Sequence, residues 1–242
     1  MTTLLLIHAF PVDAGMWDGQ VAALGSDAEV LTPHLPGFGD TPSAGDVMTM
    51  DAAADVLAGE LDKAGVDRAV VAGLSMGGYV AFSLWRRHRD RVAGLLLANT
   101  KSGADDEEGK AKRKGVAEKA RTEGSGAIAD APPPLLSESA DTALWDKVKE
   151  MIRRQSGDAI AAAALGMGER PDSTPILGEI DVPTTVLVSS GDTLIPAAVT
   201  EPMAKAIPGA ELVSLDGAGH LSNLEDPEGF NRALRDLLSR AR

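Results

Sequence analysis

Gly73-Leu74-Ser75-Met76-Gly77-Gly78 sets a serine among glycines, directly after the apolar run 69–72 and directly before a helical pattern. This G-x-S-x-G spacing suits a nucleophile on a tight strand-to-helix turn, where small neighbours let strand and helix approach while the hydroxyl projects above a sheet. A serine hydroxyl is a weak nucleophile until a base takes its proton. Four histidines could serve. His88 ends a basic helical segment and reads as a surface residue. His8 closes the first apolar run near the same edge but follows no acid, and His34 sits in the loop after the second run. His220, in Gly217-Ala218-Gly219-His220, follows the last run on a glycine-rich loop that can fold the imidazole toward Ser75. The base in turn needs an acid that holds its tautomer and stabilises the imidazolium. Asp192, in Ser190-Gly191-Asp192, follows the fifth run at the same edge. Asn99, after the fourth run, stands at the other natural place for an acid but cannot carry charge, and Asp216 is too close to His220 along the chain. Donors aimed at a developing oxyanion are expected from the Met76 N–H, at a helix start, and from the Phe10 N–H, since the neighbouring Pro11 has none. The chemistry these groups would perform is two-step acyl transfer.

The elements that must position them are legible as short apolar runs at 3–7, 29–31, 69–72, 93–98, 185–188 and 211–215, nearly continuous as strands buried on both faces should be. Helical patterns lie between them at 50–64, 77–88 and 202–207, and a last helix begins at Asp226-Pro227 and buries Phe230, Leu234, Leu237 and Leu238. Strand–helix alternation predicts an α/β fold with a parallel sheet and right-handed crossovers. Residues 101–182 break the alternation. They hold a charged helical stretch at 105–124, a stiff Pro132-Pro133-Pro134 connector, an amphipathic helix through Leu144, Val148, Met151 and Ile152, and a small-residue helix at 159–165. The expected organisation is a core of residues 1–100 and 183–242 with a helical lid insertion at 101–182. Phe10, Trp17, Phe38 and Met76 are candidates to line a substrate pocket, and each could equally be core packing.

Composition narrows the classes. With no cysteine among 242 residues, disulfides, thiolate metal sites and a cysteine nucleophile are excluded. Thirty-six acidic against 23 basic residues give a formal charge of −13, which argues against nucleic acid and anionic membrane as partners. The first residues read as a strand and not as a signal peptide, and no apolar run approaches the roughly 20 residues that span a bilayer. A cytoplasmic location is the expectation; oligomeric state is not encoded in any motif.

Taken together, His8-Ala9-Phe10-Pro11 with Met16-Trp17, Leu35-Pro36-Gly37-Phe38-Gly39, 73–78, Asp192 and His220 resemble the α/β-hydrolase superfamily along nearly the whole chain. Within it the sequence is similar to small bacterial esterases and lactonases related to 3-oxoadipate enol-lactonase, through Gly166-Met167-Gly168-Glu169-Arg170-Pro171-Asp172. The resemblance implies Ser75 as nucleophile, His220 as base, Asp192 as its orienter, Phe10 and Met76 N–H groups as oxyanion hole, and neither cofactor nor metal. It also implies a small ester or lactone as substrate. Against the family pattern, His8-Ala9 replaces a common His-Gly, and His34 stands where an acid is common. The first strand corresponds to the third of the full fold, so a sheet of about six strands is expected. Carbon–carbon bond hydrolysis and cofactor-free perhydrolysis use the same triad, and a hydrolase-derived binding protein is the alternative of another class.

Overall fold

The computed structural model describes residues 2–241. Six strands, β1 (Thr3–Ile7), β2 (Glu29–Leu31), β3 (Ala69–Leu74), β4 (Val92–Ala98), β5 (Thr184–Ser189) and β6 (Glu211–Leu215), form one sheet in the order β2-β1-β3-β4-β5-β6. Every neighbouring pair is parallel. The inner strands β1, β3 and β5 are buried along their whole length, whereas the edge strands β2 and β6 are largely exposed or half-buried. Continuous apolar runs therefore mark the centre of the sheet, as expected for strands covered on both faces.

The helices are α1 (Asp18–Leu24), α2 (Met50–Lys63), α3 (Met76–His88), α4 (Glu107–Asp130), α5 (Thr142–Arg153), α6 (Gly157–Gly168), α7 (Ala197–Ala206), the single turn α8 (Ser222–Glu225) and α9 (Pro227–Arg240). Helix α2 starts where the Thr49 hydroxyl accepts the Ala52 N–H at 3.1 Å, a side-chain cap for one of the unpaired donors of the first turn. Its apolar stripe, including Ala53, Leu57 and Leu61, is buried and packs on α3. Helix α9 buries Phe230, Leu234, Leu237 and Leu238 and packs on α1 and on the sheet. His88 pairs with Asp55 of α2 at 2.7 Å on an exposed surface, in keeping with a surface role.

Helices α4, α5 and α6 lie between β4 and β5. The charged stretch expected as a helix over 105–124 continues through a break at Gly124 (φ 80°) to Asp130. The small residues of α6 have a steric reason: it packs closely against α4, and the Met48 N–H donates to the Ala162 carbonyl at 3.0 Å. A Cβ at Gly166 would strike the Met48 carbonyl.

The two ends of this helical segment are tied to each other and to α3. Arg170, after α6, donates to the carbonyls of Met167 at 2.6 Å and Gly103 at 2.9 Å and to the Asp105 carboxylate at 2.9 Å. Its guanidinium lies 4.0 Å from the centre of the Tyr79 ring. Burial alone would raise the Asp105 carboxyl, but the Arg170 hydrogen bond and charge, with Lys101 and Arg113, hold it well below the usual carboxylate range. A depressed folded-state value stabilises the fold above the unfolded carboxyl's pKa, and that contribution is lost as pH falls below it. Asp105→Ala is therefore expected to cost about 3 kcal/mol at pH 7, the scale for stranding a buried partner. In urea titrations the gap to wild type should narrow below about pH 4. A gap that is independent of pH would show that the ion pairs contribute nothing.

Among the described residues no helix is long and apolar enough to cross a membrane.

Candidate active site

The chain turns from β3 into α3 at Ser75, whose backbone has φ 56° and ψ −114°, a region that costs a non-glycine residue energy. Two glycines make the turn possible. A Cβ at Gly73 would overlap the Gly77 carbonyl, and a Cβ at Gly77 would overlap the Ile7 carbonyl of β1. The turn is then fixed on every side. The Ser75 N–H donates to the Ala98 carbonyl at 2.9 Å, and the Thr100 hydroxyl donates to the Ser75 carbonyl at 2.8 Å.

Asp192 and His220 arrive from the ends of β5 and β6. Both are buried, and the Asp192 Oδ2 lies 2.7 Å from His220 Nδ1. The other carboxylate oxygen accepts the N–H groups of Leu194 at 2.8 Å and Ile195 at 2.9 Å, so the acid is held by backbone independently of the histidine. Facing a carboxylate, Nδ1 carries the proton. His220 Nε2 is buried without a hydrogen-bond partner among the described residues and is thus left as the acceptor.

Asn99 has a different task from the acid that its position would suggest. Its backbone sits at φ 43°, and its Nδ2 donates to the His220 carbonyl at 2.8 Å while reaching the Ser189 and Ser222 hydroxyls at 2.9 and 3.1 Å. A second brace comes from Glu225 in α8. It accepts the Gly219 N–H at 2.9 Å, the Ser137 N–H at 3.0 Å and the Ser137 hydroxyl at 2.5 Å. The glycine-rich loop that carries His220 is thereby pinned to the connector between α4 and α5. Glu225→Ala is expected to lower kcat about 10- to 100-fold with a smaller change in KM, because misplacement of a reacting group mainly costs turnover. Glu225→Gln, which keeps an acceptor for the Gly219 N–H, should recover part of the loss. Steady-state kinetics of both variants, with melting temperatures alongside, would check this.

His8 is a structural clamp. Its Nε2 accepts the Leu35 N–H at 3.0 Å and its Nδ1 lies 3.0 Å from the Ala9 carbonyl, to which it donates. Burial lowers its pKa to about 4, against the opposing pull of the Ala9 carbonyl, so the ring is neutral near pH 7. The clamp fixes the loop that carries Phe10. The Met76 N–H, first of α3, has no acceptor within its helix.

Ser75 and Phe10 open on a cavity of about 600 Å³. One wall is apolar, with Leu194, Ile195, Pro196 and Val199 from the segment entering α7, and another belongs to α4, with Arg113, Val116 and Lys119. Tyr79 lies beside Ser75 on this lining. Trp17 and Phe38 do not reach it. Trp17 is fully buried against Phe230, ring centres 5.6 Å apart, and Phe38 meets the His8 ring edge-on at 5.0 Å. Both are core residues, fully buried and absent from the cavity lining. Met76 is likewise fully buried and does not line the cavity. A larger depression of about 730 Å³ between α5 and the loop after β6 contains neither Ser75 nor His220.

Sequence reasoning missed Tyr79, Arg113 and Lys119. The i, i+4, i+7 spacing of Lys112, Val116 and Lys119 puts them on one helical face, but nothing local says that this face turns toward Ser75.

Residues 4–233 match the alpha/beta hydrolase family, and the chain belongs to that family. It is similar to the pimeloyl-acyl-carrier-protein methyl ester esterase of Aromatoleum aromaticum, 31% identical over 249 residues that cover 97% of each chain. Among solved structures it is similar to a thermophilic esterase from Thermogutta terrifontis, with 41% identity and a TM-score of 0.96 over 100% of this chain and 90% of that one. The enol-lactonase from Burkholderia xenovorans is 29% identical, with a TM-score of 0.90 over 98% of this chain and 91% of the other.

Proposed function

We propose that this protein hydrolyses small carboxylic esters or lactones through an acyl-enzyme on Ser75. The observation that carries the reading is the buried Asp192–His220 pair, 2.7 Å apart, beside a strained serine turn that opens on a cavity. His220 Nε2 takes the hydroxyl proton as Ser75 Oγ bonds to the carbonyl carbon, and the Phe10 and Met76 N–H groups receive the oxyanion. The imidazolium then gives its proton to the leaving alkoxide as the C–O bond breaks. Water, deprotonated by the same nitrogen, attacks the acyl-enzyme and releases the acid, and the proton returns to Ser75. In a lactone the alkoxide and the acyl group are one molecule, so ring opening follows the same steps. Helices α4–α6 act as the lid that bounds the acyl site, and no cofactor takes part.

The test is hydrolysis of p-nitrophenyl esters of increasing acyl length, with simple lactones alongside. The expected result is turnover that rises and then falls with acyl length as the cavity fills. Silence of the folded protein toward every ester and lactone would overturn the proposal.

A further inference from the structure

Gln155 lies in the short joint between α5 and α6, yet it is only 3% exposed. Burying a polar side chain costs free energy unless its hydrogen-bonding groups are used, and here they are. Nε2 donates to the Asp13 carboxylate at 2.7 Å and to the Met151 carbonyl at 2.7 Å, while Oε1 accepts the Gly39 N–H at 3.1 Å. The neighbours leave the amide one orientation, because two of them only accept and the third only donates. Its backbone is held as well, since the Gln155 N–H donates to the Ile152 carbonyl at 3.1 Å. Arg154 also reaches Asp13, at 3.4 Å, but its side chain is 55% exposed and the attraction is screened.

Both core groups that Gln155 grips belong to loops that frame the oxyanion site. Asp13 ends the loop that carries Phe10, and its other oxygen accepts the Gly15 N–H at 2.9 Å. Gly39 shares a loop with Leu35, whose N–H donates to His8 at the start of the Phe10 loop. The bonds close a circuit that runs from His8 to Leu35, from Gly39 to Gln155 and from Gln155 to Asp13. Phe10 sits on the arc between Asp13 and His8, and Gln155 is the member that comes from the lid.

Resting on the ester-hydrolase reading, we infer that Gln155 is a positioning residue for the oxyanion hole. It closes the circuit that aims the Phe10 N–H at the developing charge, so turnover requires the lid to be seated on the core. Gln155 touches no reacting atom. An oxyanion donor acts at the place the oxygen reaches in the transition state, not where the ground-state carbonyl lies. Loosening the Phe10 loop should therefore lower kcat and leave KM little changed.

Two changes that conserve shape test the clasp. Gln155→Glu sets two carboxylates face to face, and Asp13→Asn sets two amide NH2 groups face to face. Together they exchange carboxylate and amide across the same contact. The double variant keeps acceptors for the Gly15 and Gly39 N–H groups and loses only the donor to Met151. With p-nitrophenyl acetate above neutral pH, each single variant should lower kcat about 30-fold with KM changed less than about threefold. The double variant should return to within about fivefold of wild type, a coupling that independent structural damage would not give. Hydrogen exchange read by mass spectrometry, without substrate, should show faster exchange of residues 8–16 and 35–41 in Gln155→Glu, with 217–223 unchanged. Unaltered exchange, losses that simply multiply in the double variant, or a loss confined to KM would each overturn the inference. A wild type silent toward every ester would instead overturn the hydrolase reading, and exchange would still decide whether Gln155 holds the Phe10 loop.

Discussion

Ser75→Ala is expected to lower kcat/KM for p-nitrophenyl acetate by about 10⁴-fold or more, leaving only the assistance that binding and oxyanion donors supply. Three neighbouring hydroxyls are already committed. The Thr100 hydroxyl donates to the Ser75 carbonyl, and the Ser189 and Ser222 hydroxyls are engaged with Asn99. The same site yields a stability result of opposite sign. Ser75 holds φ 56° with ψ −114°, a conformation that glycine adopts without a Cβ penalty. Ser75→Gly should therefore abolish turnover and yet raise stability by about 1 kcal/mol, visible as a higher urea midpoint. The gain is smaller than the strain because glycine also widens the unfolded ensemble. Activity retained in either variant would remove Ser75 from the chemistry. A glycine variant less stable than wild type would mean that the serine turn is held by side-chain contacts more than it is strained.

Legibility in the sequence followed how local each signal was. The turn 73–78 and the buried strands could be read because a glycine-bounded serine and a continuous apolar run carry their own structural context. Helix α1 was not read, since DGQVAAL buries only Gln20 and Leu24, and its Gln20 makes a polar contact with Asn223 and Asn231 from the far end of the chain. The sequence does not separate pocket from core for Trp17 and Phe38, as an aromatic near a site motif looks the same in either. Their placement depends on which way two loops fold, and that is decided by Phe230 and His8, hundreds and tens of residues apart in pairing. The cavity-facing side of α4 carries no local signal for the same reason: its partner is a cavity completed by Tyr79 of α3 and by the segment 194–199 that enters α7. Asn99 cannot carry charge, and its hold on the His220 carbonyl cannot be foreseen from a residue 121 positions away.

Asp192→Asn is the sharper test of the acid, because its geometry separates folding from tautomer control. The carboxylate oxygen that accepts the Leu194 and Ile195 N–H groups, at 2.8 and 2.9 Å, can be replaced by the amide oxygen of asparagine. The loop after β5 should keep its shape, and the melting temperature should move by only a few degrees, on the order of 1 kcal/mol. The amide nitrogen then faces His220 Nδ1, now 2.7 Å from a carboxylate oxygen, and it can only donate. Nδ1 must become the acceptor, which moves the ring proton to Nε2, the nitrogen that has to receive the Ser75 proton. The base is thus present and correctly placed but in the wrong tautomer, and the imidazolium loses its counter-charge. A fall in kcat of about 10²- to 10⁴-fold follows, with KM little altered because neither Asp192 nor His220 lines the cavity. Labelling of Ser75 by a fluorophosphonate should slow in parallel, since it needs the same proton removal. A near-wild-type rate would mean that another carboxylate orients His220. Neither Asn99, an amide, nor Asp216, which is exposed, is placed to do so, and the assignment of His220 as base would have to be abandoned along with that of Asp192.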